Sequence, residues 1–211
     1  MSFGYLGDTS TKIKQQVKNQ GVISISEAYE LEKADQFSGS LELIETVTIS
    51  SATASVDFTS IKGDIYESHF LTATNIQPVT DGAILRIRFS NDGGSSFESS
   101  NYEMGRQYQD SSGTNGTSDS TSIGYIEFSV NIGSSTNESG GASAYFHRLN
   151  NASYYSVVAL ESTGLNASGV YLNHFGGGTY KVAEKVDGIR LVMSSGDIDA
   201  GVYKLYGIKE Q

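Results

Sequence analysis

The stretch DIYESHFLTATNIQPVTDGAILRIRFSNDGGSSF, residues 64–97, contains two strand signals and the turn between them. From Ala83 to Phe89 the residues alternate: Ala83, Leu85, Ile87 and Phe89 share one face, and Ile84, Arg86 and Arg88 the other. That is the period of a strand with one buried side. The preceding run, Ile65 to Ile76, is apolar on both faces, with Tyr66 and Phe70 opposite Ile65, Leu71 and Ala73. A more deeply buried strand is expected there. Pro78 has no amide to give a ladder, and Thr80, Asp81 and Gly82 suit a turn because glycine tolerates positive φ. Asn91, Asp92, Gly93 and Gly94 stop the second strand in the same way.

Strand signals continue on both sides. Leu43, Val47 and Ile49 share one face and Ala54, Val56 and Phe58 another, with Ser50 and Ser51 as the turn between them. Tyr102 to Gly124 is polar and turn-rich, and a long exposed loop is expected. Ile126, Phe128, Val130 and Ile132 then alternate with Tyr125, Glu127, Ser129 and Asn131. A polar loop, Gly133 to Gly141, precedes a hairpin of Ser143–Leu149 and Tyr154–Glu161, turning at Asn150 and Asn151, where asparagine takes the left-handed conformation readily. Short strands at Val170–Phe175 and Thr179–Ala183 flank Gly176, Gly177 and Gly178. A last pair spans Val186–Ser194 and Gly201–Ile208. Roughly ten or eleven strands, too closely spaced for crossover helices, predict an all-β, antiparallel, jelly-roll-like sandwich over residues 37–211.

Residues 1–36 read differently. Lys12, Lys14 and Lys18 stand against the single Asp8 in the first 25 residues, while the acidic excess lies beyond. Asp8 can cap a helix through Thr11 to Asn19, with Ile13 and Val17 on one face. Ser24 and Glu27 have capping-box spacing, and Ala28, Leu31 and Ala34 follow at helical intervals. Neither helix is long enough to stand alone in water, so this segment is expected to be a docking arm presenting Ile13, Val17, Tyr29 and Leu31.

Composition narrows the partners. A net charge of −10 over 211 residues repels phosphate backbones and anionic lipid, so neither nucleic acid nor membrane is expected. Cysteine is absent, which removes disulfides and thiolate metal sites. No apolar run approaches a membrane span, so a soluble product made in the cytoplasm is expected. The 24 glycines and single proline suit many turns between short strands.

Catalytic patterns are missing: the chain has no G-x-S-x-G, H-E-x-x-H, P-loop or Rossmann fingerprint, so no enzyme and no cofactor are expected. His69, His147 and His174 each fall within a strand, where packing is the simpler reading than a metal site. Asp92, Asp197 and Asp199 could offer oxygens to Ca²⁺, although such residues also cap turns locally. Tyr102, Tyr108, Tyr125 and Tyr154, with Tyr155 and Tyr171, lie at loop margins or outward strand positions. An aromatic face there can stack on a sugar ring, or pack as a cross-strand partner.

Residues 64–102 resemble a segment recurrent in tailed-bacteriophage virion proteins of the tail-fibre and appendage kind, in which two strands flank Pro78, Thr80, Asp81, Gly82 and end in Ser90, Asp92, Gly93, Gly94, Ser95. The first 37 residues resemble the amino end of small virion proteins of marine phages, and SSGDIDAGVYKLYGI, residues 194–208, is similar to their closing strands. Residues 105–183 carry no such likeness. The resemblance implies a β-sandwich and a virion location. With the arm and the small size of the body, a short fibre, adaptor or knob docked to tail, portal or capsid proteins and contributing to host-surface glycan adhesion is expected, as a homotrimer by analogy with phage fibres. A capsid-decorating head fibre and a stand-alone carbohydrate-binding module are the alternatives.

Overall fold

The computed structural model describes Tyr29 and residues 40–209. Leu41–Gln211 forms a unit of its own, apart from Met1–Ser40. Ile13, Val17 and Leu31 lie outside the described residues; Tyr29 has helical backbone and an exposed side chain. In chain order the strands are β1 (Leu41–Ile49), β2 (Ser55–Phe58), β3 (Ser68–Pro78), β4 (Ala83–Ser90), β5 (Tyr102–Asp110) and β6 (Asn115–Ile123). They continue with β7 (Ile126–Ile132), β8 (Gly140–His147), β9 (Ser156–Leu165), β10 (Tyr171–Tyr180), β11 (Gly188–Met193) and β12 (Ile198–Ile208).

An eight-stranded sheet runs β1-β12-β3-β8-β9-β10-β5-β6 and a four-stranded sheet runs β2-β11-β4-β7. Every strand pairing is antiparallel. The two sheets share one core: Leu85, Ile87 and Phe89 of β4 and Phe128 and Val130 of β7 are buried with Leu71, Phe146, Val158, Tyr180 and Leu205 of the larger sheet. Phe89 is the hub, with ring centroids 5.8 Å from Tyr102, 6.0 Å from Tyr180 and 6.1 Å from Phe146. Burying a side chain of this size contributes about 1.5–3 kcal/mol. Register slips between Ile84 and Arg86 against β7, and the Ser129 hydroxyl meets the gap by accepting the Leu85 amide at 2.8 Å.

The alternating strands Ala83–Phe89 and Ile126–Ile132 bury the faces their sequence assigns. Elsewhere the structure corrects the sequence. Tyr102–Gly124 is no loop but the hairpin β5–β6, at one edge of the larger sheet. Only its base, Tyr102 and Met104, is buried, so the rest has no reason to be apolar. The triple glycine does not separate two strands; it lies inside β10. A Cβ there would strike flanking backbone: the Gly105 carbonyl at Gly176, the Val158 carbonyl at Gly177 and, at 2.6 Å, the Glu103 carbonyl at Gly178.

Neighbours in sequence also part company in space. β1 and β2 belong to different sheets, as do β11 and β12, so neither is a hairpin. A bulge between Leu43 and Glu45 turns Leu43 away from the face that Val47 and Ile49 keep. β3 begins at Ser68 with Ile65 exposed, and buries one face, with Phe70 on the other. β8 and β9 pair as expected, but Arg148, not an asparagine, takes the left-handed backbone, at φ 64°.

Candidate functional site

The outer face of the larger sheet is ordered in transverse rows, because directly paired residues project to the same side. One row reads Leu43, Tyr206, Phe70, Tyr145, Ala159, Gly177, Gly105, Asp119 from β1 to β6. The Phe70 ring lies 4.6 Å from Tyr145 and 6.2 Å from Tyr206. The next row reads Thr46, Lys204, Thr72, Ser143, Glu161, Phe175, Gln107, Thr117. Beyond it come Gly141, Thr163, Asn173, Gln109 and Asn115 on β8, β9, β10, β5 and β6.

The last two rows form a groove. One section, of about 540 Å³, is lined by Gly141, Ser143, Glu161, Thr163, Tyr171, Asn173 and Phe175 among others. A second, of about 350 Å³, is lined by Gln107, Tyr108, Gln109, Asn115, Gly116 and Thr117, and shares Phe175. Phe175 and Tyr171 are 53 % and 47 % exposed. They stand on the same side of β10, four residues or about 13 Å apart, with Asn173 between them. Two aromatic plates set among amides and hydroxyls can take apolar sugar faces and hydroxyl groups together.

The floor under this groove is held from the core side. Arg106 of β5 pairs with Glu127 of β7, and its Nη1 donates to the Ser129 carbonyl at 3.1 Å and to His174 Nδ1 at 2.7 Å. Arginine can only donate, so His174 Nδ1 accepts and the neutral ring carries its proton on Nε2. Burial, then the Arg106 charge, pushes the His174 pKa down to about 4. Burial likewise lowers the Arg106 pKa, against the pull of Glu127. Tyr108 covers the imidazole, its ring 5.7 Å away. His174 lies between Asn173 and Phe175, and Arg106 beside Gln107, so these contacts fix the strands that present the groove.

The four tyrosines chosen from sequence do not converge. Tyr102 is fully buried: it packs 5.0 Å from Tyr180 and accepts the Phe89 amide at 2.8 Å, which removes it from any surface role. Tyr108 faces inward yet borders the smaller groove section. Tyr125 is half-buried beneath the Arg86 guanidinium at 3.7 Å, and Tyr154 is exposed in the β8–β9 connection, 5.1 Å from Arg148. Tyr171, noted in the sequence, joins the groove. Phe175 was missed; its signal was the alternation Tyr171, Asn173, Phe175 against Leu172 and His174.

The carboxylates considered for Ca²⁺ are apart. Asp92 accepts from the Ser90 hydroxyl at 2.9 Å and from the Ser96 amide and hydroxyl at 2.9 and 2.7 Å. The Ser96 bonds above all draw its pKa down to about 2. Asp197 sits in the β11–β12 connection and Asp199 within β12, exposed. His69 donates from Nε2 to the Ile61 carbonyl at 2.7 Å, whereas His147 contacts Ser68 at 3.1 Å. Among the described residues no group of three or more His, Asp or Glu is placed to hold a metal.

No protein-family model, curated protein or solved structure matches the chain.

Proposed function

We propose that this chain is a bacteriophage virion structural protein, a short fibre, adaptor or knob that is docked by residues 1–36 and displays a glycan-contacting β-sandwich. The observation that carries the adhesive part is the groove across β8, β9, β10, β5 and β6, with Phe175 and Tyr171 exposed among amide and hydroxyl side chains and the Glu161 carboxylate. The virion part rests on the resemblance of residues 64–102 and of both ends of the chain to phage appendage proteins.

Strand order supports a jelly roll. β1-β12-β3-β8 over β2-β11-β4-β7 is the nested arrangement of two Greek keys. On this reading β5–β6 and β9–β10 are hairpins inserted into the eight-stranded plan, and they widen one sheet. The apolar row of Leu43, Tyr206, Phe70 and Tyr145 ends on edge strand β1, where we place contact with further copies of the chain in a trimer.

A glycan array probed with the wild-type protein and with Phe175→Ala tests the adhesive role: spots bound by the first and lost with the second are expected, and an empty array overturns it. Mass spectrometry of purified phage particles tests location. Its absence from particles, with the array positive, would favour the stand-alone carbohydrate-binding module, for which the groove is equally suited.

A further inference from the structure

We infer that the groove selects an amino sugar carrying a free ammonium group, with Glu161 taking the charge and Phe175 the ring; this rests on the glycan reading above. Glu161 and Phe175 are direct cross-strand partners on β9 and β10. On the other side of Glu161, Ser143 donates its hydroxyl at 3.3 Å. Neither Arg nor Lys lines either groove section, and among the described residues no cation pairs with Glu161. Lys204 of the same row is three strands away, roughly 14 Å at the usual strand spacing.

A carboxylate beside an exposed aromatic face attracts an ammonium group twice, through the opposite charge and through the ring quadrupole. The same carboxylate repels uronic and sialic acids, and the groove has no cation to hold them. The net charge of −10 acts in the same direction at longer range. Because Glu161 is exposed, the preference is modest and sensitive to salt.

The test compares glucosamine oligomers with their N-acetylated counterparts of equal length, and with hyaluronan, by titration calorimetry in mildly acidic buffer. The free amine is expected to improve affinity about two- to five-fold over the acetylated oligomer, with hyaluronan weakest. High salt and Glu161→Gln should each remove that margin. Equal binding of the two oligomers, or a margin that survives in Glu161→Gln, overturns the amino-sugar inference alone. Failure of every oligomer to bind overturns it together with the glycan reading.

Discussion

On its outer face, the half of the larger sheet made by β1, β12, β3 and β8 carries Leu43, Tyr206, Phe70 and Tyr145, whereas in the half made by β9, β10, β5 and β6 the same row continues as Ala159, Gly177, Gly105 and Asp119. The inward faces of the two halves do not differ in this way: Leu71, Phe146, Leu205, Val158 and Tyr180 are all core. Folding constrains the inner side chains alike in both halves wherever they meet the smaller sheet, and beyond the base of β5 and β6 it does not. The outer ones are free to differ, and it is there that we propose protein contact for one half and glycan contact for the other. The second half is also the one built from the two hairpins that we read as insertions.

The largest expected effect removes what the halves share. Phe89→Ala should cost about 3–5 kcal/mol, read as a lower urea midpoint at unchanged slope, with one transition for the whole sandwich. Two transitions, with β9, β10, β5 and β6 lost first, would show that the halves are independent. Acid should act next, and unequally. His174 titrates near 4 when folded, against its ordinary 6.5, and burial also lowers the His69 pKa. The unfolded chain therefore binds more protons in that window, so the melting temperature should fall as pH drops from about 6.5 toward about 4. His174→Gln should flatten part of that slope and leave the His69 part; an unaltered slope would contradict the neutral imidazole that burial and the Arg106 contact maintain.

Much of the fold was legible where apolar and polar side chains alternate, as they do in Ala83–Phe89 and Ile126–Ile132, even though Glu127 and Ser129 of the second are buried too. It was illegible where that contrast fails. β5 and β6 extend past their buried base and are polar on both sides, so alternation carries no signal there. Gly176–Gly178 read as a break because glycine usually marks one, yet here it admits neighbouring backbone. The crossings between sheets at β1–β2 and β11–β12 look like hairpins in sequence, since short connections serve both. The groove was hidden for a further reason: its residues come from five strands, and only pairing register brings Glu161 beside Phe175.

Smaller effects separate the two halves more finely. Tyr145→Ala should cost about 1 kcal/mol through the lost Phe70 contact, measured by urea unfolding, and leave glycan binding intact. Phe175→Ala should shift stability by less than about 0.5 kcal/mol while abolishing binding. A reversal of those two outcomes would exchange the roles assigned to the halves. Smallest of all, EDTA and added Ca²⁺ should leave the melting temperature unchanged, because the Asp92 oxygens are already engaged by Ser90 and Ser96; a rise with Ca²⁺ would reopen that turn as a site.

Amide chemical shifts recorded while a bound oligosaccharide is titrated into the labelled protein test the division most directly. Shifts clustered on Ser143, Glu161, Thr163, Asn173, Phe175, Gln107 and Gln109 are expected, with the Phe70 and Tyr206 amides still. Shifts centred on Phe70, Tyr145 and Tyr206, with the groove unmoved, would contradict it.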